Sequence, residues 1–172
     1  MSAGDIKIVS QSGKISNPVR RFRVPAGQAA IAAGEPVKIL QDTAVGSYYP
    51  LKLIDADGTI LENMYFLGIT AAAGTHSSSA AGYVDVYLDT PGTVYRAKVK
   101  TANAANTQAK VDAFTLYRLV IDLTTSKYRI DDTTATAGGQ AFIVVGGNPD
   151  EDALDFCVGD QGTWRYWGNS VN

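Results

Sequence analysis

Between Tyr83 and Lys100 the chain alternates. In Tyr83-Val84-Asp85-Val86-Tyr87-Leu88, and again in Thr93-Val94-Tyr95-Arg96-Ala97-Lys98-Val99-Lys100, every second side chain falls on one face of an extended backbone. A helix repeats its faces about every 3.6 residues, so a period of two defines a half-buried strand instead. The Asp89-Thr90-Pro91-Gly92 turn between the two runs predicts that they pair as a hairpin.

The same signal recurs. Tyr117, Leu119, Ile121 and Leu123 share one face with Arg118 and Asp122 on the other, and a Thr124-Thr125-Ser126 turn leads into Lys127-Tyr128-Arg129-Ile130-Asp131, a second hairpin. Ala141-Phe142-Ile143-Val144-Val145 is continuously apolar, which predicts a central strand covered on both faces. Gly34-Glu35-Pro36 turns into a strand at Val37–Leu40, Met64–Thr70 forms another, and Asp57-Gly58 is a hairpin turn before Thr59-Ile60-Leu61. Asn148-Pro149-Asp150-Glu151-Asp152 is a turn followed by Ala153–Val158, and residues 101–114, rich in Ala, Asn and Gln, are the one helix candidate and equally read as a loop.

Turns spaced this closely between alternating runs predict an all-β fold: an antiparallel β-sandwich or barrel with hairpins, at most one short helix, and an extended N-terminal arm. Residues 1–30 form the arm and an edge strand. Residues 31–172 form a single β domain with a potential subdivision near 101–114, since 172 residues is the size of one ordinary domain.

Composition narrows the function. Apolar residues make up 45% of the chain and charged ones only 19%, which argues for a folded chain with surfaces meant to be covered. A net charge of −2 and a pI near 5.3 lack the basic excess that nucleic-acid binding needs. No apolar run approaches the ~20 residues of a membrane helix. The start, Met1-Ser2-Ala3-Gly4-Asp5, lacks the regions of a secretion signal, so synthesis in the cytoplasm without processing is expected. The single cysteine, Cys157, excludes an intramolecular disulfide framework and reads as a small core residue.

Charge is uneven. Residues 1–52 hold seven Lys and Arg against three acids, whereas residues 131–172 hold seven acids against Arg165 alone. One reading is two solvated faces; the other is that basic and acidic ends meet across neighbouring subunits.

The order of pieces from Ala29 to Val99 resembles a known family. A start at Ala33-Gly34-Glu35-Pro36-Val37, a strand ending Gly68-Ile69-Thr70, a small-residue loop over Ala71–Gly82, and the Val84-Asp85-Val86-Tyr87-Leu88 and Pro91-Gly92-Thr93-Val94 segments are similar to the cement, or decoration, proteins that coat capsids of tailed bacteriophages. The resemblance implies a structural virion protein on the outer capsid surface, made in the host cytoplasm. It would bind several major capsid protein subunits, stabilise the assembled shell, and associate as a homo-oligomer, with a trimer favoured.

Candidate partner-binding residues lie near both ends. Arg20, Arg21 and Arg23 crowd a strand bounded by Pro18 and Pro25, with Phe22 and Val24 facing away from Arg21 and Arg23. This is either a solvated edge or an arm that grips a partner. Trp164, Arg165, Tyr166 and Trp167 combine the residue types enriched at interface hot spots, and equally read as a Trp pair closing off one end of a core. The alternative function is a β-sandwich module binding carbohydrate or a host surface, with Trp164, Tyr166 and Trp167 stacking on sugar rings.

No catalytic residue, cofactor or metal is expected, and the chain does not read as an enzyme. His76 lies among Gly, Ala and Ser in a stretch that reads as a flexible loop, without the oriented partners of a Ser-His-acid triad. Asp55-Ala56-Asp57-Gly58 resembles the start of a calcium loop, but position 66 is Phe where such a loop ends in Glu. The acids after Pro149 read as a solvated turn.

Overall fold

Eleven strands and one short helical stretch, at residues 107–109 and 111, make up most of what the computed structural model describes. The described residues are 6–10, 18–42, 47–52, 66–90, 92–100, 107–109, 111, 116–122, 127–131 and 142–158. The strands are β1 (Lys7–Ser10), β2 (Val19–Val24), β3 (Pro36–Asp42), β4 (Ser47–Lys52), β5 (Phe66–Thr70), β6 (Gly82–Leu88), β7 (Val94–Lys98), β8 (Leu116–Asp122), β9 (Lys127–Asp131), β10 (Phe142–Asn148) and β11 (Ala153–Val158).

They form two antiparallel sheets in a sandwich-like all-β fold. The first runs β1-β7-β11-β10-β8-β9 and the second β2-β6-β5-β3-β4. Each sheet is curled: Val99, just past β7, bridges to Ile130 of β9, with the Lys100 amide donating to the Ile130 carbonyl at 2.8 Å, and β2 approaches β4 in the second sheet. The segment assigned to an arm and edge strand thus contributes an edge strand to each sheet, β1 and β2.

Each sheet has its own core. In the first, Tyr95 and Ala97 of β7, Leu119 of β8, Ile130 of β9, Phe142 and Val144 of β10, and Leu154 and Phe156 of β11 pack together. In the second, Val24, Ile31, Val37, Leu67, Val84, Val86 and Leu88 do so. β5 serves both and is buried at all five positions: Phe66 and Ile69 enter the first core, Leu67 the second. Phe66 and Ile69 are three residues apart, a spacing that simple alternation would send to opposite faces. A register shift opposite Val37 and Lys38 brings them to the same side. Gly68 makes this bend at φ 147°, and a side chain there would fall on the Tyr87 carbonyl, so only glycine fits.

The β8–β9 hairpin forms as predicted, with Arg118 opposite Asp131 through to Asp122 opposite Lys127. β10 holds the expected interior place, between β11 and β8. Its covering on both faces does not hold, because Val145 is 40% exposed; the strand enclosed on both sides is β5.

The predicted hairpin between Tyr83–Leu88 and Thr93–Lys100 does not form. β6 pairs with β2 and β5, and β7 with β1 and β11, so the intervening corner carries the chain from one sheet to the other. That corner has its own anchors: the buried Asp89 donates its amide to the Leu67 carbonyl at 2.9 Å, and its Oδ1 accepts from the Tyr95 hydroxyl at 2.9 Å. The apolar faces of the two strands fill different cores, which overrides the pairing that a short turn favours.

The predicted turn at residues 148–152 is a 3-10 turn, Pro149–Glu151, between β10 and β11. The Asn148 side chain caps it by accepting from the Asp150 amide at 3.2 Å. The turn predicted at Asp57-Gly58 and the strand after it lie outside the described residues.

Candidate interaction surface

Alternation along β2 divides its side chains. Val24 is fully buried and Phe22 packs against the second core, while Val19, Arg21 and Arg23 stand on the opposite face. β6 divides in the same way, with Val84, Val86 and Leu88 inward and Tyr83, Asp85 and Tyr87 outward. The ladder sets these outward residues in direct opposition: Val19 to Tyr87, Arg21 to Asp85, Arg23 to Tyr83.

The result is a surface of mixed chemistry. Val19 and Tyr83 are each 52% exposed and Tyr87 is 39% exposed, so three of the five large exposed hydrophobic side chains among the described residues share this face. Between the two tyrosines, Arg21 holds Asp85 through two bonds, Nε to Oδ1 at 2.8 Å and Nη2 to Oδ2 at 2.9 Å. These hydrogen bonds keep the Asp85 carboxyl below its ordinary range and raise the Arg21 guanidinium above its own. Arg23 is exposed opposite Tyr83 and makes no ion pair among the described residues. Arg20 lies on the other side of the strand, its guanidinium carbon 5.4 Å from the centre of the Phe22 ring.

Thus two of the three arginines read from the sequence, Arg21 and Arg23, come together on one face, and Arg20 does not join them. Trp164, Arg165, Tyr166 and Trp167 lie outside the described residues. Sequence reasoning passed over Val19, Tyr83 and Tyr87. The signal was present in the alternation that marked β6, which puts two large rings on the side away from the core.

Two further expectations meet the structure differently. The loop holding His76 is tied down rather than loose: the Gly74 amide donates to the Ile31 carbonyl at 2.8 Å, the Gly27 amide to Ser77 at 3.0 Å, and the His76 ring is buried. Cys157 is half-buried on β11 between the inward-facing Phe156 and Val158, which places it on the face away from the core. The acids at Asp150, Glu151 and Asp152 belong to the β10–β11 turn, and no group of three or more metal-capable side chains stands together among the described residues.

No helix among the described residues is long and apolar enough to cross a membrane. Comparison with protein-family models found no match, and neither did a search of curated proteins.

Proposed function

We propose that this chain is a structural virion protein that decorates and stabilises an assembled phage capsid, docking on major capsid protein subunits through the outer face of β2 and β6. The single observation that carries this reading is the grouping of Val19, Tyr83 and Tyr87 around the Arg21–Asp85 pair, with Arg23 beside them. Tyrosine and arginine are the side chains that most often anchor protein interfaces. An apolar area that encloses a charged pair also excludes water from it once covered. The Ala29–Val99 segment that resembles the cement proteins supplies β3, β4, β5 and β6 of the sheet bearing this face.

The mechanism is added interface. A protein that binds only the intact shell stabilises it by RT ln(1 + [L]/Kd), about 2.7 kcal/mol per site at 100-fold excess over Kd. Many sites act on one particle, and association of the chain as a homo-oligomer, a trimer in this reading, links neighbouring subunits. The role requires no cofactor and no catalysis.

The test uses particles that lack the chain. They should assemble, break at lower temperature than complete particles, and regain resistance when the purified protein is restored. The double variant Tyr83→Ala, Tyr87→Ala should rebind at least about tenfold more weakly, because truncated interface anchors lose 2 kcal/mol or more. Depleted and complete particles that fail at the same temperature would overturn the reading. Binding to glycans without a capsid would favour a carbohydrate or host-surface module in its place.

A further inference from the structure

The outward side chains of β2 and β6 occupy the closest cross-strand positions of their ladder. The Leu88 amide donates to the Pro18 carbonyl at 2.9 Å, one step beyond the pairing of Val19 with Tyr87, so Pro18 and Leu88 are a hydrogen-bonded pair. In an antiparallel ladder such pairs alternate with non-bonded ones, whose Cα atoms stand ~4.5 Å apart rather than ~5.5 Å. Counting from Pro18, the non-bonded pairs are Val19–Tyr87, Arg21–Asp85 and Arg23–Tyr83, the three that make up the exposed face. Their side chains therefore lie side by side, with Arg23 against the Tyr83 ring.

This part of the chain is basic within an acidic protein. Residues 18–34 and 66–88, which hold β2, β5 and β6, carry Arg20, Arg21 and Arg23 against Asp85 alone, a sum of +2 in a chain whose total is −2. Glu35, the next charge along the sequence, is held by the Ala32 amide at 2.8 Å. Asp85 takes both Nε and Nη2 of Arg21, so that pair is closed and electrically neutral. The positive charge of the face is thereby concentrated at its Arg23 end.

We propose that this face docks on an acidic surface of a different protein, which presents a carboxylate to Arg23 while its apolar part covers Val19, Tyr83 and Tyr87. That this protein is the major capsid subunit rests on the function proposed above. The arginine fork matches a carboxylate, and covering the neighbouring ring removes water from the ion pair, which strengthens it. A carboxylate set over the centre of the face would meet Asp85 and be repelled, so the pattern fixes the orientation of the partner as well as its sign. A second copy laid face to face would bring like charges together, which opposes self-pairing through this surface. Nucleic acid is held mainly by many cation–phosphate contacts, whereas here one arginine outside the closed pair stands among three exposed apolar side chains.

Rebinding of the purified full chain to particles that lack it tests the proposal. Arg23→Gln should bind about tenfold more weakly and Arg23→Glu about 100-fold or more, chiefly through slower association, and added NaCl should weaken the natural chain more steeply than Arg23→Gln. Lys98→Glu changes the net charge by as much as Arg23→Glu but lies exposed on β7 of the first sheet, and it should stay within about twofold of the natural chain. Arg23→Lys keeps the charge and introduces an amine, which a zero-length carbodiimide should couple to an Asp or Glu of a shell protein on the particle. Equal rebinding of the natural chain, Arg23→Gln and Arg23→Glu overturns the inference and leaves the proposed function standing. Coupling to another copy of this chain, or rebinding abolished by nuclease treatment of the particles, also overturns it. A natural chain that does not bind the particles at all overturns the proposed function and this inference together.

Discussion

Arg96 and Asp155 face each other directly across the β7–β11 ladder, and the guanidinium grips the carboxylate at 2.6 Å from Nε to Oδ1 and 2.9 Å from Nη2 to Oδ2. Arg96 also approaches Glu151 of the β10–β11 turn at 3.7 Å, so one side chain of β7 fastens both β11 and the turn that precedes it. The carboxylate is largely shielded from solvent, which makes this pair stronger than an open surface bridge. Arg96→Ala should lower stability by about 1–2 kcal/mol, seen as a fall of a few degrees in melting temperature. Arg96→Lys keeps the charge without the fork and should recover only part of that loss. An unchanged melting temperature in both variants would show that the pair contributes nothing.

Phe66 reaches from the second sheet into the aromatic cluster of the first, edge-on to Tyr95 at 5.4 Å and to Phe142 at 5.6 Å. Truncation leaves a cavity between well-packed rings. Phe66→Ala should therefore lose about 3–5 kcal/mol in urea unfolding, and Phe66→Leu distinctly less. A loss below about 1 kcal/mol for the alanine variant would mean that the sheets do not depend on this contact.

Thr70 is 2% exposed, and its hydroxyl donates to the Ala32 carbonyl at 2.6 Å while accepting from the Glu35 amide at 3.0 Å. Thr70→Val preserves shape but leaves both backbone groups unpaired, so about 1–3 kcal/mol should be lost and the Glu35 amide should exchange faster. Thr70→Ser should restore most of both. Equal stability of the valine variant would show that water or a shifted loop satisfies those groups.

The Arg21 hydrogen bonds hold the Asp85 carboxyl below its ordinary range, against a smaller opposing effect of desolvation. The folded value is thus lower than the unfolded one. The contribution of this pair is complete above the unfolded midpoint near pH ~3.9 and disappears as pH falls through the folded value. An NMR titration of the Asp85 side chain should show a midpoint below the ordinary one, and Arg21→Gln should move it upward. A midpoint that ignores the substitution would show that the pair is open in solution.

What the sequence conveyed, and what it withheld, follows from how far each interaction reaches. The β8–β9 hairpin and the turn at Asn148 were legible because pairing and turn lie within a few residues of each other. The division of β2 into Arg21 and Arg23 on one side and Phe22 and Val24 on the other followed from alternation alone. Alternation names a face and not a partner, however. Asp85 lies 64 residues from Arg21, and nothing local distinguishes it from a solvated acid. The failed β6–β7 hairpin has the same origin, since two adjacent strands with separate cores look identical to two that share one. His76 was misread because a small-residue run resembles a slack loop until the backbone that covers it is known.

A strand enclosed on both faces cannot be given up by one half of a molecule alone. Melting either hydrophobic cluster would strip one side of β5, exposing Phe66 and Ile69 or else Leu67 to water. Each half therefore lends the other part of its resistance to denaturation, and the two should unfold in a single concerted step despite their separate interiors. The same enclosure restricts sequence drift: at an ordinary half-buried strand, every second position faces water and tolerates a polar replacement, whereas none of the five positions in β5 faces water.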